Sequence, residues 1–564
     1  MFMKVEYVVS INEPSHHKVS VKMSFKIDLS QKKFTLFLPV WSPGSYMVRE
    51  YSRHLSQLQV SQDNGEVLFF KQMAKNQWEV DRQKMAPKNI SNQIIVNYEV
   101  YCHELTVRTS FIDDSHAFLH GPSYILGIMD KKIVNPSIEF KFPSSWSKLS
   151  TSLKDITDKR EKFIYSAKDY EELIDCPVEI GCHETDGFES ASVRYDLAFY
   201  GDVYPNVNLL KKDFKKIVET VCDFMGDTPF KNYQFITHFS PRLYGGLEHL
   251  NSTALHYDGR KLQVRKEYTN FLCLVCHEFF HSWNVKRIRP IELGPFNFHQ
   301  ENYTELLWLA EGLTSFVDEY LVWQSGLITE VEYLEKIKTG LDQYFATNGR
   351  KFHSLDESSF NAWIKYYRPD ETTKNTTVSY YLKGSLVFLC LHAELVEKGK
   401  SIKDFVQALW TRYKENPDQG MTKEEVFNLV QTQTSADFRA QFEDMVSTTQ
   451  ELPLNQYLKK LGLNIVWTEP TATYLGADFD YNGDRVFIKS VNLDSPAYKS
   501  GLNAGDEILA LNGMRFLKDD ANQFLSWLVV NQTYTFKVSR LNRIQDIQFL
   551  AELEPKKIKE LTKI

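Results

Sequence analysis

His277-Glu278-Phe-Phe-His281 sets two imidazoles four residues apart, with a carboxylate beside the first, inside the apolar run Phe271-Leu-Cys-Leu-Val-Cys-His-Glu-Phe-Phe-His281. The run holds no Gly or Pro, so its pattern predicts a buried helix. At about 3.6 residues per turn, positions four apart share a face, and both imidazoles can reach one ion. Glu278 lies about 100° round from His277, near enough to polarise a metal-bound water without being a ligand. The chemistry open to such a group is metal-assisted hydrolysis. A plainer reading makes them two core histidines and a buried acid. That leaves three polar groups on one apolar turn, each costly without a partner.

A catalytic zinc usually takes three protein ligands and keeps one position for water. The chain downstream offers Glu301, Glu305 and Glu311, the last within the apolar, helix-like segment Thr304-Glu-Leu-Leu-Trp-Leu-Ala-Glu311-Gly-Leu-Thr-Ser-Phe316. Glu305 and Glu311 on one helix would stand about 240° apart, so both cannot face one metal. Spacing alone does not choose among them. Cys273-Leu-Val-Cys-His277 also matches C-x-x-C-H, the attachment signature of c-type haem. That reading needs an exported, haem-loaded chain and leaves Glu278, His281 and Glu311 without a role.

Several stretches carry a family resemblance. Trp308-Leu-Ala-Glu-Gly312 resembles the W-L-x-E-G element of gluzincin zinc aminopeptidases, and Tyr381-Leu-Lys-Gly384 their Y-x-K-G element. His281-Ser-Trp-Asn-Val-Lys-Arg-Ile-Arg-Pro290, Tyr244-Gly-Gly-Leu-Glu-His249 and Trp41-Ser-Pro-Gly-Ser-Tyr-Met-Val-Arg-Glu-Tyr51 resemble the glycyl aminopeptidase family in particular. The resemblance implies one Zn2+ per chain held by His277, His281 and Glu311, with Glu278 as general base. It implies Tyr381 as donor to the oxyanion, with Tyr380 the neighbour that a one-residue slip would substitute. It implies further that Gly245 and Gly246 lie on a strand pairing with the substrate backbone, and that Glu248 holds the free α-ammonium. The expected activity is removal of an amino-terminal Gly or Ala from peptides. The alternatives are an endopeptidase on the same zinc scaffold, in which Glu248 is incidental, and an inactive peptide-binding scaffold.

The elements that must position these residues fall into an α+β multidomain order. Residues 1–185 read as β, with alternating segments such as Lys18–Asp28 and Gln93–Tyr101 between polar turns. Residues 186–455 follow as a mainly helical catalytic domain, thermolysin-like by the resemblance. Within it, Asn206–Met225 has helical period and Tyr233–Phe239 reads as a strand. Thr329-x-x-Glu332, Ser401-x-x-Asp404 and Thr422-x-x-Glu425 read as helix starts. Residues 456–554 form a third domain, in which Ser495-Pro-Ala-Tyr-Lys-Ser-Gly501 to Gly513 resembles a PDZ segment. Such domains add a peptide carboxyl terminus as an extra strand. Tyr474-Leu-Gly-Ala477 stands where the carboxylate loop belongs. Residues 555–564 read as a short charged tail that frays.

The 564 residues carry 66 basic and 73 acidic side chains, a net charge of −7 that argues against a nucleic-acid partner. No apolar run reaches the length of a membrane span. Seven cysteines and no signal-peptide pattern at the start predict reduced thiols and a cytoplasmic protein.

Overall fold

The computed structural model describes residues 2–83, 91–158, 162–201 and 206–564. They divide into two compact units, one of Met1–Tyr303, Val317–Ile328 and Gln407–Thr422, the other of Thr304–Phe316, Thr329–Val406 and Lys423–Ile564.

In the first unit, the alternation noted at Lys18–Lys26 and Gln93–Tyr101 belongs to two neighbouring antiparallel strands, paired from Lys18 opposite Tyr101 to Lys26 opposite Gln93. Val19, Val21, Met23 and Phe25 are all buried, because a period of two sends alternate side chains to one face. These strands lie within a seven-stranded sheet in the order Lys154–Asp155, Phe163–Ser166, Ser137–Lys141, Val5–Ser10, Lys18–Lys26, Gln93–Tyr101, Leu55–Gln62. Beside two four-stranded sheets, the unit also holds a five-stranded sheet in the order Glu184–Ser190, Val193–Gly201, Asn232–Phe239, Ser252–Tyr257, Tyr244–Glu248. Its three central strands run parallel and its two outer strands antiparallel. Tyr244–Glu248 is therefore an edge strand. Helix Val207–Met225, capped by Asn206 and ended by Gly226 at φ 88°, runs where its periodicity placed it. Helix Arg265–Phe280 packs its aromatic residues on the sheet, Phe279 at 5.0 Å from Tyr233 and Phe271 at 5.6 Å from Phe239, ring centre to ring centre.

The second unit is helical, followed by a small β domain. Thr329 and Glu332 form a reciprocal capping box at the start of helix Glu330–Ala346. In the β domain, strands Ala477–Asn482, Arg485–Val491, Glu507–Leu511, Thr533–Arg540 and Arg543–Leu550 lie side by side in that order. Helix Pro496–Ser500 is capped by Ser495 and closed by Gly501 at φ 78°. Two expectations are corrected. Residues 555–564 do not fray: Ile558–Lys563 is a strand paired with Leu463–Trp467, its Ile558 N–H donating to Asp342 at 2.8 Å. Glu305 does not share the helix of Glu311. It lies before that helix, exposed and ion-paired with Lys423 at 3.0 Å.

Candidate active site

His277 sits in the last turn of helix Arg265–Phe280 and His281 caps its end, still in helical conformation at φ −58° and ψ −17°. Each imidazole is fixed through Nδ1. His277 Nδ1 bonds Asp318 Oδ2 at 2.7 Å, and His281 Nδ1 bonds the Asn284 carbonyl at 2.5 Å. Both partners accept, so Nδ1 carries the hydrogen on each neutral ring and Nε2 carries the lone pair. Asp318 went unnoticed in the sequence. The signal was there: it is a second acid in the apolar helical stretch, two turns after Glu311.

Glu278 is 5% exposed and points to the edge strand. A methyl group at position 246 would come within 2.0 Å of Glu278 Oε1, so only glycine fits there. Glu248, Glu278 and His281 offer ligand-type atoms within 4.8 Å of one another, which brings three of the sequence-marked residues together. Glu248 is 3% exposed, and its Oε1 has no hydrogen-bond partner among the described residues. Gly44, from the Trp41–Tyr51 stretch, covers that carboxylate. At φ 87°, it brings its α-carbon so near that a methyl group would meet both oxygens at 2.4 Å. Gly245 is also in the left-handed region, at φ 148°. Gly44 was missed as a site residue because its partner lies some two hundred positions away.

In the second unit, Glu311 is 1% exposed and sits on a five-residue π-helical turn, Trp308–Gly312. That turn runs unbroken into helix Leu313–Gln324, which carries Asp318. Trp308–Gly312 and helix Leu382–Glu397 approach at their glycines: a methyl group on Gly312 would lie 2.7 Å from the Gly384 α-carbon. The glycines of the two sequence elements are thus a helix-crossing point. Tyr381 begins helix Leu382–Glu397, its ring stacked 5.2 Å from Tyr366. Burial, and next to it the negative charge of Glu311, holds its phenol protonated well above the ordinary range. Tyr380 is fully buried, and Tyr381 is partly exposed. His103 stacks at 5.4 Å on Phe111.

Imidazoles with fixed lone pairs and an adjoining buried carboxylate are those of a metal-dependent hydrolase. Comparison with known proteins narrows the class. The Peptidase M61 N-terminal domain matches residues 6–182, the M61 glycyl aminopeptidase domain residues 270–387, and a PDZ domain residues 473–549. The fold is similar to an aminopeptidase N family protein from Idiomarina loihiensis, at 27% identity and TM-score 0.92, covering 99% of this chain and 98% of that one. An M1 zinc metallopeptidase from Deinococcus radiodurans shares the fold at 13% identity and TM-score 0.51, covering 80% of this chain and 94% of that one. No curated protein sequence matches significantly. The chain belongs to the M61 glycyl aminopeptidase family and carries a carboxyl-terminal PDZ domain. It is a metallo-aminopeptidase. No helix among the described residues is long and apolar enough to cross a membrane.

Proposed function

We propose that this chain is a zinc aminopeptidase that removes a first residue, glycine or alanine, from peptides. Glu248 carries the reading. Its buried Oε1, without a partner on the edge strand beside Glu278, calls for a cation. A peptide's terminal ammonium supplies one through a charge-assisted hydrogen bond, whereas an internal residue offers only a neutral amide N–H.

His277, His281 and Glu311 are the proposed ligands of one zinc ion per chain. Two imidazoles and a carboxylate suit a catalytic zinc, and the Nδ1 bonds orient both rings for coordination through Nε2. Zinc held there supplies Lewis acidity that brings a water's pKa to roughly 7. Glu278 takes the attacking water's proton and returns it to the leaving amine. Tyr381 donates to the developing oxyanion. Gly245 and Gly246 keep the strand bare so that the substrate backbone can lie along it. The preference for glycine or alanine follows the family. The PDZ domain is proposed to take peptide carboxyl termini. The seven cysteines are free thiols, which suits a cytoplasmic protein.

The test joins metal analysis to turnover of aminoacyl reporters, free and Nα-acetylated. About one zinc per chain and loss of cleavage on acetylation are expected. Cleavage of blocked peptides at internal bonds as fast as free ones would overturn the role of Glu248.

A further inference from the structure

Arg108 stands at the other end of the same strand. Its Nη2 donates to the Gly246 carbonyl at 3.3 Å, and its Nη1 lies 3.8 Å from where a Gly245 β-carbon would be. Its Nε is buried without a hydrogen-bond partner, and among the described residues no carboxylate lies within ion-pair distance of it. Arg108 is thus a half-buried guanidinium with no ion pair among the described residues. Its position is fixed, since the Arg108 carbonyl accepts from Tyr51 Oη at 2.8 Å.

The strand's register tells which groups face the substrate. The Leu247 carbonyl and the His249 N–H both bond toward Ser252–Tyr257, to Thr253 Oγ1 and the Ser252 carbonyl. By the alternation of an antiparallel pair, the backbone groups of Gly246 and Glu248 face the open edge. Along that edge come three chemically distinct points. Glu248 presents a buried Oε1 without a hydrogen-bond partner among the described residues, Gly246 bears the Glu278 carboxylate against its α-carbon, and Arg108 lies at Gly246 and Gly245. Glu248 and Gly246, whose carbonyl Arg108 holds, are two strand residues apart, roughly 7 Å along the backbone. That is about the span between the ammonium and the carboxylate of an extended dipeptide.

We propose that Arg108 binds the free carboxylate of the leaving residue, so that the preferred substrates are dipeptides with both termini unblocked. This rests on the aminopeptidase reading above and adds a length limit to it. Glu248 fixes the ammonium, Arg108 fixes the carboxylate, and the amide between them lies at Glu278. Of the five N–H donors of a guanidinium, the bond to Gly246 uses one.

The experiment compares kcat/KM of the parent enzyme on glycylalanine, glycylalaninamide, a tetrapeptide beginning with the same two residues, and Nα-acetyl-glycylalanine. The free acid is expected to exceed the amide by at least ~10-fold, the worth of one charge-assisted hydrogen bond. The tetrapeptide, whose carboxylate falls beyond Arg108, should also be slower than the dipeptide. Arg108→Gln should bring the acid-to-amide ratio close to unity, and Arg108→Lys should keep part of it. Equal cleavage of acid and amide by the parent overturns the proposal without any variant having to fold. So does an acid preference that survives in Arg108→Gln. The acetylated substrate separates the two readings: if it is cut as fast as the free dipeptide, the aminopeptidase reading has failed. If acetylation blocks cleavage while acid and amide are equal, only the role of Arg108 has.

Discussion

At the scale of single residues, the proposed ligands and the proposed catalytic groups can be tested apart. Glu278→Gln keeps the size and burial of the side chain but cannot accept a proton. It is expected to retain zinc and lower kcat by about 10²–10⁴-fold, the usual worth of a general base. Tyr381→Phe should cost on the order of 10²–10³-fold in kcat, one oxyanion donor, while Tyr380→Phe should leave kcat nearly intact. The reverse pattern in steady-state kinetics would move the oxyanion donor to Tyr380. The histidines and Glu278 were legible because helical period is visible in a short window. Asp318 and Arg108 were not, since their partners lie 41 and 138 positions away and nothing local marks such contacts.

At the scale of elements, the crossing of Trp308–Gly312 with helix Leu382–Glu397 sets Glu311 and Tyr381 on neighbouring turns. The apolar pattern of 304–316 read as an ordinary helix; the π-helical turn within it leaves no trace in hydrophobic spacing, because one extra residue per turn keeps the same apolar content. The glycines were read as motif letters, and their cause is the 2.7 Å approach. Gly312→Ala should therefore overpack the crossing, costing about 1–3 kcal/mol and most of the activity. Gly340→Ala is the control: its methyl would meet Leu382 at an ordinary 3.5 Å. That substitution should be neutral or stabilising by up to about 1 kcal/mol. Melting temperatures and kcat of the two variants decide the point. The capping box at Thr329 was legible for the opposite reason, as both its partners lie within one turn.

At the scale of the molecule, acid sensitivity follows from buried imidazoles. Burial lowers His353 to about 4, and His392 to about 4, from an ordinary value of 6.5. Such groups stay neutral in the fold while the unfolded chain takes up protons below 6.5. Their contribution is thus complete above pH 6.5 and is lost as pH falls toward 4. Each adds a slope of up to roughly 1.4 kcal/mol per pH unit. His353→Asn should flatten that slope, as measured by denaturant midpoints between pH 4 and 7.

The ribbon of Leu463–Trp467 and Ile558–Lys563 has a consequence for how the chain can be rebuilt. It lies against helix Glu330–Ala346 through Lys563 to Glu330 at 2.7 Å and Trp467 to Phe345 at 5.4 Å. Thr468 and Lys557 close its outer end with reciprocal hydrogen bonds, the Thr468 N–H to the Lys557 carbonyl at 2.8 Å and the Lys557 N–H to Thr468 Oγ1 at 3.1 Å. Everything from 469 to 556 therefore leaves and re-enters at one point, as a cassette plugged into a two-pronged socket. Replacing 469–556 by a two-residue Asn-Gly turn would convert the socket into a plain hairpin. The shortened chain should express as a folded protein and bind zinc like the parent, with any loss confined to substrates that need the cassette. Other small domains whose ends lie side by side should be graftable into the same socket.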